Sequence, residues 1–333
     1  MERAGVKVRL LYCLIVTLIA GCTSCNQQQN NEQSQIKNPP KTIIAAPVFS
    51  PDSAYLYIKT QVEFGPRVPN SEAHTNCGDY LAAQLRLFCD TLIEQRATLT
   101  AHDGKLLNNR NLIGSFNPHL NNRIMLCAHW DTRPWADQDS IRKNEPIDGA
   151  NDGASGVGVL IEIARQLHLT RPEIGIDIIL FDMEDYGKSS DENSYALGTQ
   201  YWAKNPHVAN YSAKYGILLD MVGAERATFT KEGTSMQYAA DVMNNVWRIA
   251  AEKGYSDYFL FEETRGIVDD HTYVNTMANI KCIDIIHYDY SSSSNFWKHW
   301  HTHGDTMDKI DKNTLKAVGQ TVLEVIFYEL NAI

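Results

Sequence analysis

Short apolar runs alternate with helix-like segments over most of this chain, and no other feature limits its fold so strongly. Four of the runs lie between polar residues and span residues 123–129, 176–181, 215–219 and 282–286. Continuous apolar strands separated by helices are typical of a mainly parallel sheet covered by helices on both faces. The pattern predicts an α/β fold: a three-layer α/β/α sandwich around a central mixed, mostly parallel sheet.

The other segments complete this alternation. Residues 92–100 and 111–116 have the composition of strands. Apolar residues at helical spacing predict helices at residues 79–88, 155–168, 196–204, 236–253 and 313–330.

The N-terminal segment differs from the rest of the chain. A basic start precedes an apolar run at residues 10–20, too short to span a bilayer, and small residues lead into Ala20-Gly21-Cys22. This is the layout of a secretory signal, and the cysteine after Ala-Gly resembles the lipobox of bacterial lipoproteins. We expect residues 1–21 to be a lipoprotein signal peptide and Cys22 to carry a lipid anchor; the alternative is a plain signal peptide with an incidental cysteine. The expected location is membrane-anchored, in the periplasm or at the outer membrane.

Composition separates a linker from the folded part and narrows the partners. Residues 22–45 contain a stretch rich in Gln, Asn and Ser that cannot bury enough apolar surface to fold, which predicts a disordered tether. Residues 46–333 are expected to form a single folded domain, to which the motifs described below belong. The net charge is −10 and no basic stretch dominates, so nucleic acid is not an expected partner.

Chemistry-bearing residues follow three of the four apolar runs. His129 ends the first run, Glu184 and Asp185 follow the second, and Asp220 follows the third. The carboxyl ends of parallel strands meet at one edge of an α/β sheet, where such folds bind their ligands. Because buried charged groups need partners, this set indicates a divalent cation.

Two predicted loops contain further residues of the kinds that bind metal ions. The glycine-rich turn at residues 149–156 exposes Asp152 before a predicted helix, where its alternative role is a helix cap. His299, His301 and His303 lie in one polar stretch, and spacing alone does not choose between them. Imidazole and carboxylate are both frequent zinc ligands, whereas the alternative for this stretch is a solvated loop.

In combination these motifs resemble the zinc aminopeptidase superfamily and, within it, the bacterial glutaminyl-peptide cyclotransferases. The motifs similar to the superfamily are His129-Trp-Asp131, Gly149-Ala-Asn-Asp152-Gly-Ala, Glu184-Asp185, Asp220 and His301-Thr302. The motifs similar to the cyclotransferases are Phe64-Gly-Pro-Arg-Val-Pro69, residues 127–137, Asp269-Asp270-His271 and Trp300.

The resemblance implies a zinc aminopeptidase-like sandwich with one zinc ion per chain, held by Asp152, Asp185 and His301. It implies that the zinc polarises the side-chain amide of the substrate while Glu184 shuttles protons. The implied reaction converts the N-terminal glutamine of peptides or proteins to pyroglutamate and releases ammonia.

The same resemblance assigns supporting roles. Asp220 and Asp269 would be catalytic carboxylates of a buried network around Glu184, and Trp300 would form a wall of the glutamine pocket. The family also implies a monomer.

Three departures from the family pattern stand out. Asp185 is shorter than the glutamate that the family often has there. Asp284 occupies the position where animal relatives have a histidine. Residues 186–194 lack the pocket tryptophan of the animal enzymes, and Tyr186 is the candidate substitute.

Two other functions stay open at this point. In a two-zinc aminopeptidase, His129, Asp220 and a bridging Asp152 would hold a second ion, and water would be the nucleophile. In a catalytically silent lipoprotein, the domain would only bind peptides or act as a structural module, although every ligand position is filled. With a single zinc ion, His129 would lie beside the metal ligands without binding the metal, and Asp131 would orient its ring.

Overall fold

A six-stranded sheet organises residues 43–332, the part of the chain that the computed structural model describes. The strands of this part are β1 Thr91–Thr100, β2 Leu106–Phe116, β3 Arg123–His129, β4 Gly175–Phe181, β5 Gly216–Asp220, β6 Phe229–Lys231, β7 Phe259–Glu263 and β8 Cys282–Ile286. The sheet has the order β1-β2-β4-β3-β5-β8, and β6 pairs separately with β7. Strands β3, β4, β5 and β8 run parallel, whereas β1 and β2 join antiparallel at one edge. The predicted mixed, mostly parallel sheet is confirmed.

Helices cover both faces of this sheet. They are α1 Pro51–Glu63, α2 Glu72–Phe88, α3 Ala154–Thr170, α4 Leu197–Lys204, α5 Gly233–Glu252, α6 Asp270–Thr276 and α7 Lys312–Ala332. Because side chains alternate along a strand, Leu126 faces the larger cluster, formed with α1, α2, α3, α5 and α7, while Cys127 packs with Trp202 of α4 and Val274 of α6. The predicted three-layer sandwich is therefore confirmed.

Several elements lie outside the predicted ones. Helix α1 begins after Ser50, whose side chain accepts a hydrogen bond from the backbone N–H of Ser53, and has Pro51 at its first position. This cap and proline are a recognisable helix start, which the prediction overlooked. Helix α6 and the short β6–β7 pair were also absent from the predicted elements, because neither is long enough to show a clear periodicity.

The predicted signal peptide at residues 1–21, the lipid-bearing Cys22 and nearly all of the predicted tether at residues 22–45 lie outside the described residues. Close to the start of the described part, Ile44 exchanges two hydrogen bonds of 2.9 Å with Asn331 in α7. Among residues 43–332, no helix combines the length and the apolar character that crossing a membrane requires.

A buried charge network lies near the start of β4, at the opposite end of the strand from the predicted site. Asp177 is 1% exposed and accepts hydrogen bonds from Arg123 Nε at 2.6 Å and Nη2 at 2.9 Å. Ser115 and Tyr211 donate two more, at 2.6 and 2.7 Å. Such a pair is well satisfied as a unit, but removing one partner leaves the other as an uncompensated buried charge.

We expect Asp177→Asn to lower the free energy of unfolding by about 3–5 kcal/mol, because Arg123 loses its counter-charge. The matched control is Asp241→Asn, which removes an exposed 2.8 Å ion pair with Lys281 and is expected to cost less than about 1 kcal/mol. Urea denaturation of both variants measures the difference. Equal losses would contradict the importance given to the buried network.

Candidate metal centre

The loops that carry the predicted site turn through residues in the left-handed conformation. Met183 has φ 59°, Met221 has φ 47° and His301 has φ 54°. This conformation is uncommon for residues other than glycine, and it persists where surrounding contacts impose it, often at functional sites. Each of the three is a predicted site residue or directly adjoins one.

Asp152, Asp185 and His301, the predicted zinc ligands, lie around one point. His301 Nε2 is 3.1 Å from Asp185 Oδ1 and 3.8 Å from Asp152 Oδ2. One ligand atom from each residue lies within 4.8 Å of the other two, and all three residues are buried. Ligand atoms bonded tetrahedrally to one zinc ion are about 3.3 Å apart, so the group matches the size of such a site.

The electrostatics of the cluster also fit a cation. Asp185 Oδ2 is buried and has no hydrogen-bond partner among residues 43–332. Burial, followed by repulsion from Asp269, raises the pKa of Glu184 well above its ordinary value. Burial also raises the pKa of Asp185 and Asp269, and raises that of Asp220 to about 7. A divalent cation bound among these carboxylates would favour their charged forms.

A second group of metal-ligand types shares Asp152. His129 Nε2 is 3.1 Å from Asp152 Oδ1 and 3.2 Å from Asp220 Oδ1, and these three residues could also hold an ion. Asp152 thus directs one carboxylate oxygen towards His301 and the other towards His129. The two-ion alternative therefore remains compatible with the geometry.

The glycine-rich turn delivers Asp152 without using it as a helix cap. The N-cap residue of α3 is Gly153, and within the described part of the chain no side chain caps the helix. A Cβ atom at Gly153 would lie 2.5 Å from the ring of His129, so only glycine fits beside this histidine. Gly149, at φ 59°, supplies the left-handed turn before it.

A cavity of about 280 Å³ opens beside the candidate ligands. Its acidic side includes Glu184, Asp220 and Asp269 together with Asp152 and Asp185. Its apolar side is formed by Met221, Ile267, Ile286, Phe296 and Trp300. Trp300 stacks on His301 with ring centroids 3.8 Å apart, so the predicted pocket tryptophan also supports a candidate ligand.

The suggested substitute for the missing tryptophan, Tyr186, is wrong. Its ring packs against Trp135 at 5.2 Å and its hydroxyl donates a 3.1 Å hydrogen bond to Asp103, away from the cavity. Tyr195 lines the cavity instead. It lies one residue beyond the 186–194 window in which a substitute was sought.

Asp131 lies beside the histidine that it was predicted to orient, and it has a second role. Its Oδ1 is 3.5 Å from His129 Nδ1, on the other side of the ring from Asp152 and Asp220. Its two oxygens also accept hydrogen bonds of 3.1 Å from the backbone N–H groups of Glu184 and Asp185. Asp131 therefore fixes the backbone of the loop that carries these two acids.

Asp305 fixes the backbone of the turn that carries Asp152, a role that the sequence analysis did not predict. Its carboxylate accepts hydrogen bonds from the backbone N–H groups of Asn151 at 2.7 Å and Asp152 at 3.0 Å. Its only sequence signal was its position four residues after His301 in the same polar stretch.

Of the three histidines in that stretch, only His301 joins the cluster. His303 pairs with Asp139 at 2.8 Å, and His299 packs edge-on against Trp297 at 4.9 Å.

Asp284, where the family pattern differs, is fully buried. Burial and, after it, repulsion from Asp269 raise the pKa of Asp284 well above its ordinary value.

A mixed, mostly parallel sheet with buried carboxylates and histidines at its strand ends is the arrangement of the zinc-dependent exopeptidase-like class, as the similarity to a solved zinc-dependent exopeptidase indicates. Residues 111–326 match the profile of peptidase family M28, and the chain belongs to this family.

Three similar solved structures, each with a TM-score of 0.83, sharpen this assignment. The Bacteroides thetaiotaomicron glutaminyl cyclase bound to N-acetylhistamine is 53% identical, with 85% of this chain and 99% of that chain covered. A Tannerella forsythia glutaminyl cyclase is 52% identical, over 84% and 99%. A leucine aminopeptidase precursor from B. thetaiotaomicron VPI-5482 is also 52% identical, over 86% and 99%. The predicted resemblance to bacterial glutaminyl cyclases is confirmed, although the names include both activities.

We expect Asp185→Asn to weaken zinc binding at least tenfold, because losing even an outer partner of a ligand typically costs about 10–100-fold. Competition with a chromophoric chelator measures this affinity. The matched control is His303→Asn, in the same stretch as His301 but outside the cluster, with expected affinity near wild type. Unchanged binding by Asp185→Asn would remove Asp185 from the ligand set.

Proposed function

We propose that this protein is a zinc-dependent glutaminyl cyclase, an aminoacyltransferase that closes the N-terminal glutamine of peptides or proteins into pyroglutamate. The observation that carries the proposal is a small cavity with Glu184 in its wall, directly beside Asp152, Asp185 and His301. The similar structures named as glutaminyl cyclases support it.

Asp152, Asp185 and His301 would hold a single zinc ion, with one position left for the substrate. When bound, the zinc would supply Lewis-acid polarisation of the side-chain amide. The buried, unpartnered Asp185 oxygen supports such a role for this group.

Glu184 is the proposed proton shuttle. The substrate α-amine nitrogen bonds to the amide carbon, and Glu184 accepts the proton that the amine gives up. Glu184 then returns a proton to the amide nitrogen, which leaves as ammonia when its bond to carbon breaks. Burial and Asp269 raise the pKa of Glu184, which suits a group that must take up and release a proton, although a bound cation acts in the opposite direction.

The remaining wall residues have complementary roles. Asp220 and Asp269 bring negative charge to the side of the cavity that would receive the substrate amine. Trp300 and Phe296, whose ring centroids are 4.5 Å apart, form an apolar wall that excludes water from the side chain. A volume of about 280 Å³ lies just below the range of drug-sized pockets, about 300–1,000 Å³, and suits one side chain rather than a peptide.

A two-zinc aminopeptidase is the second candidate, since one specific observation favours it. His129 and Asp220 approach the second oxygen of Asp152 closely enough to hold another ion. The name of one similar structure, a leucine aminopeptidase precursor, points the same way. Under the cyclase proposal, His129 instead links the two carboxylates without a metal.

Substrate choice and metal content together distinguish these candidates. We expect ammonia release from a peptide that begins with glutamine and no hydrolysis of leucine p-nitroanilide. We also expect elemental mass spectrometry of the purified protein to find one zinc ion per chain. Hydrolysis of the anilide with two ions per chain would identify an aminopeptidase instead.

We expect Glu184→Gln to lower kcat by about 10²–10⁴-fold, because it removes the proton shuttle, while zinc stays bound. The control is Glu225→Gln, which changes an exposed acid that lies outside the cavity wall. Zinc loss in the Glu184 variant would make Glu184 a ligand and overturn its assigned role.

A further inference from the structure

Residues 131–139 supply none of the proposed ligands, yet they contact two of the three loops that do. This segment, Asp-Thr-Arg-Pro-Trp-Ala-Asp-Gln-Asp, begins two residues after His129, the last residue of β3. Besides the bonds of Asp131 described above, its side chains approach Asp185 on one side and His301 on the other.

Arg133 makes the contacts to the Asp185 loop. Its guanidinium is 1% exposed, and Nη1 donates hydrogen bonds to the backbone oxygens of Asp185 at 2.8 Å and Gly187 at 2.9 Å. The same nitrogen lies 3.5 Å from Asp185 Oδ1. Arg133 thereby fixes the backbone at Asp185 and places a positive charge beside its carboxylate.

Asp137 contacts a second proposed ligand, His301. Its Oδ1 lies 3.2 Å from His301 Nδ1, although the ring N–H is not directed straight at this oxygen. The adjacent backbone N–H of Gln138 donates a 3.2 Å hydrogen bond to the carbonyl of His301. These contacts surround a histidine whose backbone is held at φ 54°.

An ion pair joins the two sets of contacts. Arg133 Nη2 donates to Asp137 Oδ2 at 2.8 Å and Nε donates to Oδ1 at 3.3 Å, a two-pronged arrangement. One residue of the pair thus contacts Asp185 and the other contacts His301.

We propose that Arg133 and Asp137 form a positioning pair that holds Asp185 and His301 in the geometry required to bind the metal. A histidine that binds metal through Nε2 must carry its proton on Nδ1, and a carboxylate beside Nδ1 selects that tautomer and fixes the ring. The inference rests on the proposed metal group, but not on which reaction the metal serves.

The test compares two carboxylates of the same segment. Asp137→Ala is expected to weaken zinc binding about 10–100-fold and to change the visible absorption spectrum of the cobalt-substituted protein. Asp139→Ala, which removes the carboxylate beside His303, is expected to leave zinc affinity and the cobalt spectrum as in wild type. Asp137→Glu is expected to restore part of the affinity, because it keeps the negative charge.

Metal-free thermal unfolding of each variant separates a positioning effect from general destabilisation. If Asp137→Ala does not fold, Asp137→Asn preserves the side-chain size and is expected to show the same direction of change. Equal losses in the Asp137 and Asp139 variants, or a wild-type cobalt spectrum in the Asp137 variants, would overturn the proposal. Failure of the cyclase assay with zinc affinity changing as expected would leave the positioning pair intact and reject only the reaction.

Discussion

Mutual repulsion among buried carboxylates is the constraint on which this site depends. Asp152, Asp185, Asp220 and Asp269 are all buried, and the parallel sheet brings the loops that carry several of them to one edge. Such a concentration of negative charge opposes folding unless protons or a cation compensate it. A metal ion bound among these carboxylates would compensate their charge, and the same ion would supply a centre for chemistry.

Hydrogen bonds from backbone N–H groups fix the loops that carry the acidic residues of the site. Asp131 and Asp305 each accept two backbone N–H groups from the loops that bear the candidate ligands. Because these bonds fix the loops and not the ligand side chains, they leave the carboxylates of Asp152 and Asp185 available to a metal. Carboxylates outside the ligand group thus position the ligands within it.

The sequence predicted the parts of the molecule that depend on apolar pattern and strand order. The central strands were recognisable because they are continuous apolar runs, and the residues after them had to meet because parallel strands end at one edge. The backbone contacts of Asp131 were missed and the place of Tyr186 was predicted wrongly, because the direction of a side chain in a loop depends on tertiary contacts that spacing does not contain. Asp305 was missed for the same reason, since its partners are backbone groups.

The shared framework explains why similar structures bear the names of two activities. A cyclase and a two-ion peptidase would use the same fold, the same acid at Glu184 and the same central Asp152. The difference would lie in whether His129 and Asp220 bind a second ion, or whether His129 only contacts the carboxylates of Asp152 and Asp220. The distances around His129 suit either state.

Anomalous diffraction at the zinc absorption edge, from crystals grown with excess zinc, tests the central claim most directly. The account predicts one strong peak, bounded by Asp152, Asp185 and His301 and adjacent to Glu184. A second peak of equal height beside His129 and Asp220, or no peak among the three proposed ligands, would contradict it.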